Sequence, residues 1–246
     1  MKTAIVTGAT SGIGRAAALA LRDAGYWVLA NGRDPARGKE VAEALGSGGT
    51  FLGEDLTRAG APEQVVRTAV DETGRLDVLV NNAGIYVLAT TEETGPEELD
   101  RLMGINLRAA MLLTRAAIPA MRASGGGVVI NVSSEAGLVA LPGQVAYNVS
   151  KAALLMFSKS LAVDHAGDGI RAVSVCPGTT RTPLVENAIA TAEDPAALEH
   201  RLTSIRPAKR LGRPEEIAAA IVFAAGDDAG YMTGSELVID GGYTAM

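Results

Sequence analysis

Three side chains whose types can move a proton stand in register: Tyr147, Lys151 four residues later, and Ser134 thirteen positions upstream in Asn131-Val132-Ser133-Ser134. A free phenol titrates near ~10, and a cation held beside it favours the phenolate and lowers that value. Proton transfer is most effective when the group titrates near the operating pH. On a helix, a spacing of four puts Tyr147 and Lys151 on one face, so the ammonium is expected to acidify the phenol. The same pair also suits a solvated helix face, so the chemistry requires a second motif in the chain.

That motif lies near the N-terminus, where Thr3-Ala4-Ile5-Val6 leads into Thr7-Gly8-Ala9-Thr10-Ser11-Gly12-Ile13-Gly14 and an alanine-rich stretch from Arg15 to Ala24. The order expected is strand, glycine turn, helix. Glycines let the backbone touch a ligand, and the N–H groups and dipole at a helix start attract a pyrophosphate. The spacing G-x-x-x-G-x-G differs from the usual dinucleotide fingerprint G-x-G-x-x-G.

Further motifs follow in order: Asp55, Asn81-Asn82-Ala83-Gly84, Asn106, Pro177-Gly178 with Thr182, Arg213-Pro214-Glu215-Glu216-Ile217-Ala218 and Asp240-Gly241-Gly242. With these the chain resembles, nearly end to end, the short-chain dehydrogenase/reductase family. The resemblance implies an α/β fold: one Rossmann-like doubly wound domain over 1–246, a parallel seven-stranded sheet with helices on both faces. It also implies a dinucleotide against Gly8, Thr10, Ser11, Gly12, Ile13 and Gly14. Asp55 and Leu56 would flank the adenine, and Asn81, Ala83 and Gly84 the adenosine ribose. Pro177, Gly178, Thr180 and Thr182 would meet the nicotinamide end. In the implied mechanism Tyr147 protonates a carbonyl oxygen as hydride leaves the nicotinamide, and Ser134 holds that oxygen. Lys151 lowers the Tyr147 pKa and bonds the nicotinamide ribose. Asn106 binds a water linking Lys151 to solvent. A depression of Tyr147 by ~3 units, shared between Lys151 and an oxidised nicotinamide, would amount to about 4 kcal/mol.

The choice of nicotinamide depends on the end of the second strand, where an acidic residue would bond the ribose 2′-hydroxyl and repel a 2′-phosphate. Gly32 stands there, followed by Arg33, whose guanidinium suits a phosphate. NADP(H) is therefore the expected cofactor. Ser11, where a second basic residue would be usual, and Asp34, which could oppose a phosphate, keep NAD(H) open.

The 246 residues, 48% hydrophobic and 20% charged, suffice for one globular domain. Strands are expected at Trp27 to Asn31, Thr50 to Leu52, Val78 to Val80 and Val128 to Ile130. Helices are expected at Pro35 to Leu45, Pro62 to Thr73 and, as one long element, Pro96 to Met121. Residues 183–207 form the expected substrate lid. A net charge of −6 argues against nucleic acid or an anionic membrane as partner. With a strand from about Thr3 and no long apolar run, a cytoplasmic, unanchored enzyme is expected. The lone Cys176 reads as a buried thiol, and His165 and His200 lack metal-pair spacing. Ala152 to Val163 is apolar on more than one face, which points to burial against another subunit; the resemblance implies a homotetramer or homodimer.

Three functions fit. The first is an NADP(H)-dependent oxidoreductase acting on a secondary alcohol or ketone of a small polar metabolite such as a sugar, polyol or hydroxy acid, with Glu135 and Gln144 as candidate substrate contacts. The second is a 3-oxoacyl-[acyl-carrier-protein] reductase, which would need a basic docking patch near the cleft. The third, a non-catalytic dinucleotide-binding regulator, has no need for Tyr147 and Lys151 together.

Overall fold

Short apolar runs alternate with helical patterns along the chain, and in the computed structural model, which describes residues 1–246, seven of these runs pair into one sheet. The strands are β1 (Thr3–Thr7), β2 (Trp27–Gly32), β3 (Gly49–Gly53), β4 (Val78–Asn81), β5 (Gly127–Val132), β6 (Ile170–Pro177) and β7 (Ser235–Ile239). Their order is β3-β2-β1-β4-β5-β6-β7, with every neighbour pair parallel. A parallel sheet must be covered on both faces, which is why these strands read as continuous apolar runs. All five residues of β1 and all four of β4 are buried.

Strand alternation divides the core in two. Ala4, Val6, Val78, Val80, Val128 and Ile130 pack on one face against α1 (Gly12–Asp23), α2 (Pro35–Leu45) and α9 (Pro214–Ala225). Ile5, Leu79 and Val129 pack on the other against α3 (Ala61–Thr73), α5 (Ala109–Ala123) and α6 (Val145–Asp164). Strand order reverses between β1 and β4, so a crevice opens at their carboxyl ends, the usual ligand site of such sheets.

Local chemistry sets the boundaries. The Asp34 carboxylate accepts from the N–H groups of Ala36 (3.0 Å) and Arg37 (3.1 Å), fixing the start of α2, which stops before Gly46. The expected long helix from Pro96 is divided into α4 (Pro96–Met103), a π turn over Gly104–Arg108, and α5. A π turn inserts one extra residue and turns the following side chains, a device often found at functional sites. The 183–207 segment folds as α7 (Pro183–Ala190) and α8 (Pro195–Ser204). No helix is long and apolar enough to cross a membrane.

Candidate active site

The crevice begins at the glycine turn after β1. Gly8 adopts φ +63°, and a methyl group at Gly14 would collide with the Gly8 carbonyl oxygen and Asn82 Nδ2. The turn is braced from β4: Asn82 Nδ2 donates to Thr7 O (2.8 Å), and the N–H groups of Asn82 and Ala83 donate to Thr7 Oγ1 (2.9 and 3.0 Å). Ser11 stands at the N-cap of α1 without a side-chain cap, and the first turn of the helix carries no acidic residue. Its N–H groups and positive dipole end therefore suit a dinucleotide pyrophosphate, and the turn provides the close backbone approach such a group needs.

Asn81, expected beside the adenosine ribose, can meet a ligand there only through its backbone. Its side chain is buried, with Nδ2 donating to Thr114 Oγ1 (3.0 Å) and Asn131 Oδ1 (2.8 Å), because strand alternation turns it into the sheet. Asn82, the residue that braces the loop, was missed by the sequence reading, although it stands in the same motif.

At the adenosine end a methyl group on Gly32 would lie 2.6 Å from Thr10 Cγ2, so Thr10 occupies the space where an acidic side chain would start. Arg33 is exposed, with its guanidinium 3.8 Å from the Asp55 carboxylate. Hydrogen bonds from the Thr57 N–H (3.0 Å) and hydroxyl (2.7 Å) hold the Asp55 carboxyl below its ordinary value, and Arg33 adds to this. Leu56 beside it is buried. Asp34 is committed to capping α2. Thr10, Ser11 and Gly12 share a groove of about 590 Å³ with both Arg15 and Arg37 and the carboxylates of Asp23, Glu40 and Glu215; Arg37, paired with Asp34 at 3.4 Å, is a second cation the motifs did not mark.

Tyr147 and Lys151 lie in the first turns of α6, facing Ser134 at the end of β5. The Ser134 hydroxyl accepts from Ala136 N–H (3.1 Å), and Ser133 Oγ donates to the Lys151 carbonyl (2.7 Å), tying the strand end to the helix. Lys151 Nζ donates to the Val132 carbonyl at 2.9 Å and lies 5.6 Å from the Tyr147 ring centroid. Burial pushes Tyr147 up to about 12, with hydrogen bonding to Ser134 opposing it, and draws Lys151 down to about 8. In the protein alone the ammonium bonds a carbonyl and desolvation dominates the phenol; the acidification expected of Lys151 together with an oxidised nicotinamide is a property of the cofactor-bound site.

Asn106 falls in the π turn and is buried. Its Oδ1 accepts from Ile85 N–H (2.7 Å), while Nδ2 donates to Ile85 O (2.9 Å) and Ser150 Oγ (3.1 Å). Ser150 in turn donates to the Tyr147 carbonyl (2.8 Å), so Asn106 is wired to the helix carrying the phenol. A methyl group at Gly84 would lie 3.3 Å from Asn106 Oδ1 and 3.5 Å from Lys151 Nζ, so both groups line the same glycine.

Both candidate substrate contacts are buried. Glu135 is 2% exposed and ion-paired with Arg206; Gln144 is 8% exposed at the N-cap of α6. What packs on Tyr147 is Tyr86, edge-on, with ring centroids 5.2 Å apart at 77°. Tyr86 and Leu88 are both exposed. No motif marked Tyr86, since only the fold brings it to α6.

Next to the Ser134 loop, on the neighbouring strand, Pro177 closes β6, Gly178 N–H donates to Ile239 O (2.9 Å), and Thr180 Oγ1 donates to Gly178 O (2.9 Å). Thr182 stands at the N-cap position of α7 without a side-chain cap and packs against the glycine turn, where a methyl group on Gly12 would lie 3.0 Å from its Cγ2. Cys176 is fully buried and its thiol is pushed up to about 12 by burial, which keeps it protonated and inert.

A sequence profile described as enoyl-(acyl carrier protein) reductase matches residues 8–244. The chain is 45% identical over 248 residues to an uncharacterized oxidoreductase of Thermotoga maritima, covering 100% of this chain and 98% of that one. It is 38% identical over 255 residues to the 2-(R)-hydroxypropyl-CoM dehydrogenase of Xanthobacter autotrophicus, with coverage of 100% and 99%. It is 39% identical over 249 residues to the cyclopentanol dehydrogenase of a Comamonas species, with coverage of 99% and 97%. On a profile match of that extent and relatives matched over almost their whole length, the chain belongs to the short-chain dehydrogenase/reductase family of NAD(P)-dependent oxidoreductases.

Proposed function

We propose that this enzyme transfers a hydride between NADP(H) and a secondary alcohol or ketone, with Tyr147 as general acid in reduction and general base in oxidation. The observation that carries the reading is the convergence of Tyr147, Ser134 and a buried Lys151 at one end of the crevice whose other wall is the glycine turn. A bound nicotinamide supplies the hydride when reduced and a positive charge beside the phenol when oxidised. Tyr147, with its pKa raised by burial, holds its proton at neutral pH and can deliver it to a developing alkoxide. Ser134 donates a hydrogen bond to the same oxygen, a contact that strengthens as negative charge builds and so lowers the barrier. Asn106 holds the backbone after Gly84 and the start of α6 in one register.

For cofactor choice the supporting facts are the Thr10-filled space at Gly32, the exposed Arg33 with Arg37 nearby, and the engagement of Asp34 in capping. For substrate, the burial of Glu135 and Gln144 removes the polar contacts a sugar or polyol would use, and Tyr86 and Leu88 present apolar surface beside the phenol. Alkyl or cycloalkyl secondary alcohols therefore suit this site better than polyhydroxylated metabolites, in keeping with the cyclopentanol named for one relative. Assembly through α5 and α6 is part of the proposal, because Val149, Met156 and Val163 form an exposed row along α6 at intervals of seven.

The test is Tyr147→Phe against a panel of ketones and alcohols, read in both directions with both cofactors. The variant should bind NADPH as the parent does and lose ~10²–10⁴-fold in turnover. Undiminished turnover would remove Tyr147 from the mechanism. Faster reduction of an acetoacetyl thioester than of any simple ketone would favour the acyl-carrier-protein reductase instead.

A further inference from the structure

We propose that the buried pair Glu135 and Arg206 is a latch that holds the root of the 183–207 lid against the loop carrying Ser134, making both residues positioning residues for hydride transfer. The proposal rests on the reading of Ser134 and Tyr147 as the reacting site. Glu135 directly follows Ser134 and opens a single 3₁₀ turn, Glu135–Gly137, capped by the Ser134 hydroxyl. Arg206 lies two residues past α8, at the far end of the lid. Both side chains are 3% exposed. The Arg206 guanidinium donates to Glu135 Oε1 and to Thr179 Oγ1 (2.6 Å), and Thr179 follows Pro177-Gly178 at the expected nicotinamide end. The guanidinium also lies over the Tyr243 ring, 5.1 Å from its centroid, just after Asp240-Gly241-Gly242. One ion pair thus joins four segments: the Ser134 loop, the end of β6, the lid root and the C-terminal turn.

Stability does not account for such a pair. Desolvating two charges commonly costs as much as their attraction returns, and apolar side chains of similar shape are often as stable. This network is also incompletely satisfied: Glu135 Oε2 and Arg206 Nε have no hydrogen-bond partner. Glu135 Oε2 is pressed against Gly178, where a methyl group would lie 2.8 Å away, so only glycine leaves room for the carboxylate. An arrangement of that cost is explained by the geometry it enforces, because a bidirectional, short-reach contact fixes the lid root and the Ser134 loop relative to each other. Disorder of that junction by even ~1 Å would cost about 10²-fold in rate.

The experiment replaces both partners together, Glu135→Met with Arg206→Met, so that neither charge is left buried alone. A latch predicts a thermal midpoint near that of the parent, hydrogen exchange in residues 183–207 several-fold faster, and a kcat for the best ketone of the panel lowered about tenfold or more with the NADPH Kd unchanged. In a Ser134→Ala background the same double replacement should produce little further loss, because the two act through one group. Parental lid exchange together with parental kcat would overturn the proposal, as would losses that multiply in the Ser134→Ala background. If the double variant does not fold, Glu135→Gln preserves shape and one hydrogen bond; it should still lower kcat and speed lid exchange, and parental values would overturn the latch. Absence of turnover by the parent protein across the panel would sink the proposed reaction, while lid exchange would still decide the latch.

Discussion

Lys151 and Tyr147 carry opposite consequences of one burial. Desolvation disfavours whichever form is charged, so the ammonium is lowered to about 8 and the phenol is raised to about 12. For kinetics, the phenolate fraction at neutral pH is small and grows with pH. Alcohol oxidation is therefore expected to rise up to about tenfold per pH unit until another step limits it, whereas ketone reduction should stay level and fall only as Lys151 loses its proton above about 8. Steady-state rates in both directions across that range check the signs; a flat oxidation profile would contradict them. For stability, the folded pKa of Lys151 lies below its unfolded value of 10.5, so below about 8 both states are protonated and the burial cost is fully present. Between about 8 and 10.5 only the unfolded state keeps the proton, and the cost falls away as pH rises. Lys151→Met should accordingly be more stable than the parent by about 3 kcal/mol at pH ~7, with a margin that shrinks at higher pH, as urea midpoints would show. The same variant should be nearly inactive, a stability gain at the expense of function. At the adenosine end, Arg33→Ala should raise the KM for NADP by roughly tenfold and leave that for NAD nearly unchanged; equal effects would remove Arg33 from phosphate recognition.

Single elements owe their exact paths to contacts that are poor in tolerance. The glycine turn is squeezed between α1 and Asn82, so Gly14→Ala forces the Gly8 carbonyl or the Asn82 amide to move. Overpacking of this kind costs about 1–3 kcal/mol, and here it also widens the pyrophosphate cradle. The variant should therefore lose more in cofactor Kd, titrated by fluorescence, than its modest fall in thermal midpoint would suggest. The π turn at Gly104–Arg108 is the other such element, and it is what points the Asn106 amide at Ile85 and Ser150.

Over the whole molecule, the two-sided sheet leaves α6 with more apolar surface than one subunit covers. Val149, Met156 and Val163 are 53%, 63% and 80% exposed, an amount that a second copy would remove from water. Under the proposed assembly through α6, Met156→Glu with Val163→Glu should yield smaller species than the parent in light scattering on a sizing column. An unchanged mass would place the assembly surface elsewhere. Because Tyr147 and Lys151 stand on the opposite face of the same helix, loss of assembly should also loosen the site and lower kcat several-fold.

Much of this was legible from residue order alone. Alternation of short apolar runs with helical patterns dictates a covered parallel sheet, and α2 begins and ends where Asp34, Pro35 and Gly46 require. Tyr147, Lys151, Ser134 and the glycine turn could be named because their chemistry depends on residue type and local spacing. What depends on distant segments could not. Periodicity cannot reveal a π turn, since one inserted residue leaves the helical pattern intact on either side. Nor does composition say that Glu135 would find Arg206, seventy-one positions away, or that Tyr86 would arrive at the phenol. The titration of Tyr147 in the protein alone belongs to the same class: spacing supplies the neighbouring cation, but only the packed interior decides how much water the phenol loses.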